Sequence, residues 1–187
     1  MKFDLLFWKN LPFWKNASSK RKRIYSAMFV FIVIYLLFFI GSLIPINHQD
    51  ATQLVDQLKQ TITQNQANGT LPQFIFIQNF RISLIFFIPI IGPAFGILSF
   101  VTSGYVIGAE AQIFGIPPVL YSSLELLNPI FLIEFIVYSI AISESIWLLL
   151  RLIQRRFREL KNTAILIGIC AGLLAIAAIV ESMLPLV

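Results

Sequence analysis

Residues Gln73–Phe114 read QFIFIQNFRISLIFFIPIIGPAFGILSFVTSGYVIGAEAQIF, and the reading of this stretch decides the fold. It is apolar over more than one membrane thickness, yet it contains Pro89, Pro93, four glycines, Arg81 and Glu110. One pass through a hydrocarbon core about 30 Å thick takes about 20 residues, so there is chain enough for two. Pro89 and Pro93 each lack a backbone N–H and crowd the preceding turn, which argues against one straight helix through both. The expected form is a hairpin of two membrane helices over 74–114, broken at Ile88–Pro93. In hydrocarbon the carbonyls freed at the break must be satisfied by neighbouring helices or by water in a cavity, so the hairpin needs further protein around it.

The rest of the chain supplies it. Of 187 residues, 58% are hydrophobic and 12% charged, with a mean hydropathy of +0.83. A soluble domain carries about a quarter charged residues, so this composition is that of an integral membrane protein. The net charge of +5 sits mostly in two clusters, Lys20-Arg21-Lys22-Arg23 and Arg151–Lys161, each beside an apolar run. That placement makes them topology signals rather than a nucleic-acid surface. A single cysteine, Cys170, and a single histidine, His48, allow neither a disulfide framework nor a thiolate or imidazole metal cluster within one chain. No cofactor and no metal is expected.

In chain order, residues 1–23 are expected to be a cytoplasmic segment whose Trp8 and Trp14 suit the headgroup region. The membrane domain then runs over 24–187. Its first span is 24–44, followed by an external loop, 45–73. Within that loop Asn47 and Asp50 can cap a helix, with Ala51, Leu54, Val55, Leu58 and Ile62 at helical spacing. The stripe would lie on the membrane surface, dock a partner or cover the ends of the spans. After the hairpin, Ile116-Pro117-Pro118 breaks the chain and Pro129 opens the fourth segment, 129–150. A basic loop (151–163) and a fifth span (164–185) complete an all-α bundle of about five transmembrane helices. With both basic clusters cytoplasmic, the N-terminus is inside and the C-terminus outside.

The hairpin's second arm shows order beyond hydrophobicity. Gly92, Gly96, Ser99 and Ser103 share one helix face with Glu110, and Gly104, Gly108, Ala111 and Gly115 form a second stripe about 120° away. Small residues let backbones approach closely, so the arm is expected to pack on two sides. Gly168, Gly172 and Ala175 are expected to form the packing face of the last span.

The candidate polar residues within the membrane are Asn79, Arg81, Glu110, Glu134, Glu144 and Glu181. Such groups are costly in lipid and mark either an ion path or structural polar packing. Asn79 and Arg81 are placed near the end of the first arm that enters from the polar loop, where Arg81 can snorkel or pair with Glu110, Glu125 or Glu181. Glu134 and Glu110 are expected to be the deep ones. Arg151 follows Glu144 by seven residues, on nearly the same helix face. The phosphate-binding glycine loop, the zinc-protease helix and the dinucleotide fingerprint are all missing from the sequence. Thr102-Ser103-Gly104 would need a base in the membrane to act as a nucleophile, and the one histidine is in the polar loop. Nothing here points to an enzyme.

Asn79-x-Arg81 before an apolar run, Gly92 and Gly96, Ser103-Gly104 with Gly108, Pro129 followed by Glu134, and Ile179-Val180-Glu181 ahead of Pro185 resemble the stage II sporulation protein M family in order and spacing. The resemblance covers roughly Phe74–Pro185. The chain departs from the family's frequent Asn-Gly at Ser103-Gly104 and from its His-Gly at Ile130-Phe131. The resemblance implies a multi-pass membrane protein without established catalytic activity that acts as a scaffold beside partners.

Residues and resemblance together lead to a non-catalytic scaffold or accessory subunit of a complex in the cell membrane. Its expected partners are the lipid bilayer and other membrane subunits or further copies of itself. The alternative is a small oligomeric transporter or channel in which Glu110 and Glu134 bind a cation or proton along the broken hairpin.

Overall fold

The computed structural model describes residues 18–154 and 160–183. The interfacial segment expected before residue 18, the middle of the basic loop and the last four residues lie outside them. The described residues form seven helices: α1 (Ser19–Ser42), α2 (His48–Ala67), α3 (Leu71–Phe86), α4 (Ile91–Phe114), α5 (Pro118–Leu127), α6 (Pro129–Ile153) and α7 (Leu160–Ser182). Four of them, α1, α4, α6 and α7, are long and apolar enough to cross a membrane, and α3 is a shorter apolar helix.

Local chemistry sets the boundaries. The Ser18 hydroxyl accepts from Arg21 N–H at 3.4 Å at the start of α1, and Asn47 accepts from Asp50 N–H at 2.8 Å at the start of α2. Asn128 accepts from Ile130 N–H at 3.0 Å ahead of Pro129, whose missing N–H costs nothing in a first turn. Gly115 closes α4 at φ +67, a left-handed conformation that glycine takes without a Cβ penalty. Gly115 therefore caps α4 and does not extend its packing stripe.

The α3–α4 hairpin turns over residues 87–90. Ile91 N–H donates to the Pro89 carbonyl at 2.8 Å, and Ile90 sits between them at φ 70, ψ −51. This is a classic γ-turn geometry, strained for any L-residue and more so for a β-branched one. Such a residue stores about 1–3 kcal/mol, whereas glycine there adds only about 0.5–1 kcal/mol of unfolded-state entropy. Ile90→Gly is therefore expected to stabilise the fold by about 1 kcal/mol, read from unfolding in mixed micelles. Since the Ile90 side chain is 67% exposed, lost packing should not mask that gain.

The core is aromatic. Phe38 of α1, Phe86 of α3, Phe100 of α4 and Phe135 and Tyr138 of α6 are all buried in one cluster, with Phe38 and Phe86 essentially inaccessible. Phe100 lies edge-on to Phe135 at 5.0 Å and Phe86 edge-on to Tyr138 at 5.3 Å, the arrangement the ring quadrupoles favour. α1 packs chiefly on α4 and then on α6, while α7 packs on α3 and α6. The basic starts of α1 and α7 and the last turns of α6 lie together at one end, called here the basic end. At the far end, Ala51 and Val55 of α2 close over Ala109 and Ile113 of α4. The stripe of the polar loop thus covers the end of a span.

The small residues divide as the close approaches require. Gly104 lies against the Phe38 carbonyl, and a Cβ at Gly108 would stand 2.6 Å from the Ser42 carbonyl oxygen, so α1 and α4 touch backbone to backbone. Gly92 and Gly96 face the other way, toward Phe86, Ser145 and Ile142. Ser99 is half-buried and Ser103 exposed, so the first stripe packs only through its glycines. On α7 the expected packing face is corrected. Gly168 and Gly172 are exposed, and a Cβ on either would meet nothing within 4 Å. The helix packs instead through Cys170, Leu174, Ala177 and Ala178, all buried, on the opposite side. Glycine spacing marks a face fit for close approach but does not say which helix takes it.

Candidate functional site

Three polar clusters lie at different depths. At the basic end, Glu144 is the hub. Arg151 donates to its Oε1 at 2.9 Å, Thr163 of α7 donates to the same oxygen at 2.8 Å, and Arg23 of α1 lies 3.8 Å from Oε2. Glu144 and Arg151 are almost fully buried, with side-chain exposures of 3% and 8%. Beside this hub, Trp147 Nε1–H donates to the Ser26 hydroxyl at 2.9 Å, and Ser26 and Ser143 share a bond of 2.7 Å. This end is therefore fastened across α1, α6 and α7 by side-chain hydrogen bonds, which hold better without competing water. The spacing of Glu144 and Arg151 puts them on nearly the same helix face, and the structure pairs them; Arg23, Ser26, Thr163 and Trp147 carry no sequence pattern that would join them to it.

In the middle, Asn79 of α3 donates its Nδ2–H to Glu134 Oε1. The pair ties α3 to α6 in the half of the bundle toward the far end, since Glu134 is the sixth residue of α6. Arg81 is not near the entry from the polar loop. It is the eleventh of the 16 residues of α3, closer to the hairpin turn than to Leu71. Its side chain is exposed, on a stripe with Gln73, Ile77, Leu84 and Ile88, and it has no partner among the described residues. The pairing expected with Glu110, Glu125 or Glu181 does not form, because those carboxylates belong to the far end.

There Glu110 accepts from the Tyr121 hydroxyl of α5 at 3.2 Å. Glu110 is not deep: Gly108, two residues before it, already sits against Ser42, the last residue of α1. Lys59 of α2 stands 5.5 Å over the Phe114 ring, and with Val55, Glu110 and Tyr121 these groups line a cavity of about 270 Å³. Burial first, then the neighbouring Glu110 charge, raises the Tyr121 phenol well above its ordinary value, so it stays a donor. Burial also raises the Glu125 carboxyl, which favours the folded state below its unfolded pKa; that contribution is lost as pH rises through the raised value. Glu181 is exposed at the end of α7. Among the described residues no group of three or more His, Cys, Asp or Glu side chains could hold a metal ion.

A hydrophobic-faced bundle whose charges, Arg81 apart, are gathered at helix ends or hydrogen-bonded between helices defines a polytopic α-helical membrane protein. The chain belongs to the stage II sporulation protein M family, whose family model matches residues 18–184. The match takes in α1 and α2 as well as the hairpin and the last two spans. No curated protein and no solved structure matches the chain.

Proposed function

We propose that the protein is a non-catalytic scaffold or accessory subunit of a membrane complex, held there in part through the outer stripe of α3. The observation that carries this reading is Arg81. Gly92, just past the hairpin turn, faces Ser145, and Ser145 lies six residues, about 9 Å, above Arg151 on α6. Arg81 lies about 7.5 Å further from the basic end than the turn, near mid-depth. A guanidinium at the centre of a spanning helix costs roughly 2.5–3.5 kcal/mol on the insertion scale. A carboxylate from a neighbouring subunit or a second copy would offset that cost. The exposed Gly168 and Gly172 on α7 offer a second surface suited to close helix approach.

The positive-inside rule puts the basic end in the cytoplasm and the docked α2 outside. A conducting path through Glu110 and Glu134 is the weaker reading, because the first is bonded to Tyr121 at the far end and the second to Asn79 between spans. Catalysis is the least supported reading, His48, the one histidine, being exposed at the start of α2. Gentle extraction followed by native mass spectrometry tests the proposal. The wild type should run as a particle of stoichiometric subunits, well above the 21.3 kDa of one chain. Arg81→Leu should leave a folded chain and lower partner occupancy at least tenfold. A wild-type monomer, or an Arg81→Leu complex at full occupancy, overturns the reading. So does a proteoliposome flux that disappears in Glu110→Gln and Glu134→Gln.

A further inference from the structure

We infer that the groove between α1, α6 and the start of α7 is a binding site for one anionic phospholipid. Two cavities adjoin there, of about 390 and 430 Å³, each within the size range of roughly 300–1,000 Å³ usual for small-molecule sites. They share Ile24, Ala27 and Ile140, so they form one continuous trough. Its two halves differ in chemistry.

The half at the basic end is polar. Lys20, Arg23 and Asn162 stand around it, with Ser143 and Glu144 at its floor. Glu144 does not make the site acidic. Its carboxylate is met by Arg151 at 2.9 Å, by Thr163 at 2.8 Å and by Arg23 at 3.8 Å. Among the described residues, two guanidiniums and the Lys20 ammonium stand around this one carboxylate. Lys20 and Asn162 are exposed there and have no partner among the described residues. A phosphate ester supplies the acceptor oxygens that an ammonium and an amide N–H₂ lack.

The other half is apolar. Met28, Phe31 and Ile32 of α1 face Leu132 and Ile136 of α6, and the one hydroxyl in the wall, that of Ser139, donates to the Ile136 carbonyl at 2.8 Å. From Lys20 to Ile32 the trough runs about 18 Å along α1, at 1.5 Å per residue. That length fits a headgroup plus one leaflet of a hydrocarbon core about 30 Å thick. Its open side is hydrophobic, with Ile24, Met28 and Ile32 each more than half exposed. A charged head at the basic end and an apolar tail along the span match a lipid with a net negative headgroup, and the trough opens toward where such lipids lie. The site does not depend on the subunit reading, since a scaffold and a channel could both carry it.

The test is native mass spectrometry of the full chain released from vesicles of phosphatidylglycerol and phosphatidylcholine in equal amounts. The wild type should retain phosphatidylglycerol about tenfold more than phosphatidylcholine. Lys20→Glu should abolish that preference, because it reverses the charge at the trough mouth, whereas Lys59→Glu, with the same change in net charge at the far end, should keep it. Ala27→Phe, which puts a ring where the two halves meet, should lose retention of both lipids. Equal retention of the two lipids by the wild type, or a loss in Lys20→Glu no larger than in Lys59→Glu, overturns the inference. The two lysines are exposed, so those arms decide the matter even if Ala27→Phe does not fold.

Discussion

Gly104→Leu yields no folded, monodisperse protein, and Gly104→Ala costs about 3 kcal/mol, at the upper end for overpacking. The reason is what lies opposite. A Cβ at Gly104 would enter the space of the Phe38 carbonyl and stand 2.9 Å from Ser42 N. A side-chain neighbour can turn aside, but a backbone neighbour moves only if α1 and α4 separate along their length. Separation would also pull Phe38 away from Phe131 and Phe135, whose ring centroids lie 5.2 and 5.4 Å from its own. Gly168→Leu is the matched control for the stability of the single chain, because nothing lies within 4 Å of a Cβ there; it should be no less stable than wild type. The comparison is made by size-exclusion profile and unfolding midpoint in one detergent. A Gly104→Leu protein that elutes and unfolds like Gly168→Leu would show that the α1–α4 contact is not backbone to backbone.

Glu144→Leu is expected to cost about 3–5 kcal/mol, since it takes from the buried Arg151 guanidinium the carboxylate it donates to. Arg151 is only 8% exposed and donates to Glu144 at 2.9 Å. The cost comes from a buried guanidinium that has lost this carboxylate rather than from the net worth of the pair, so Glu144→Leu/Arg151→Met should recover at least half of it. Arg23 is 26% exposed and can turn toward water, so it needs no compensating change. A double-mutant cycle in unfolding free energy measures this. If the double variant is as unstable as the sum of the singles, the two groups are not coupled and the hub is held by Thr163 and Arg23 instead.

Several elements were legible in the sequence because their cause is local. Pro89 and Pro93 remove donors wherever they stand; the break expected over Ile88–Pro93 falls over residues 87–90, with Pro93 in the first turn of α4. Asn47 carries a capping side chain ahead of a helical pattern, and it caps. The shared helix face of Glu144 and Arg151 follows from a spacing of seven residues, and the structure adds their hydrogen bond. Arg81, Glu110, Gly168 and Gly172 were misplaced for the opposite reason. Their surroundings come from other helices, and apolar membrane helices have little periodicity to tell a lipid-facing side from a packed one.

Composition and local chemistry by themselves determined an all-α membrane bundle, the broken hairpin and the cap at Asn47, because hydropathy, missing donors and a capping side chain act on the chain near where they stand. Only the tertiary structure decided that α1 lies backbone to backbone on α4, that Arg23 and Thr163 close on Glu144, that Arg81 is left outside without a partner among the described residues, and that a trough runs from Lys20 to Ile32. Each of those facts depends on how one helix is rotated against another. In hydrocarbon that rotation is set by side-chain fit and by buried hydrogen bonds between distant residues.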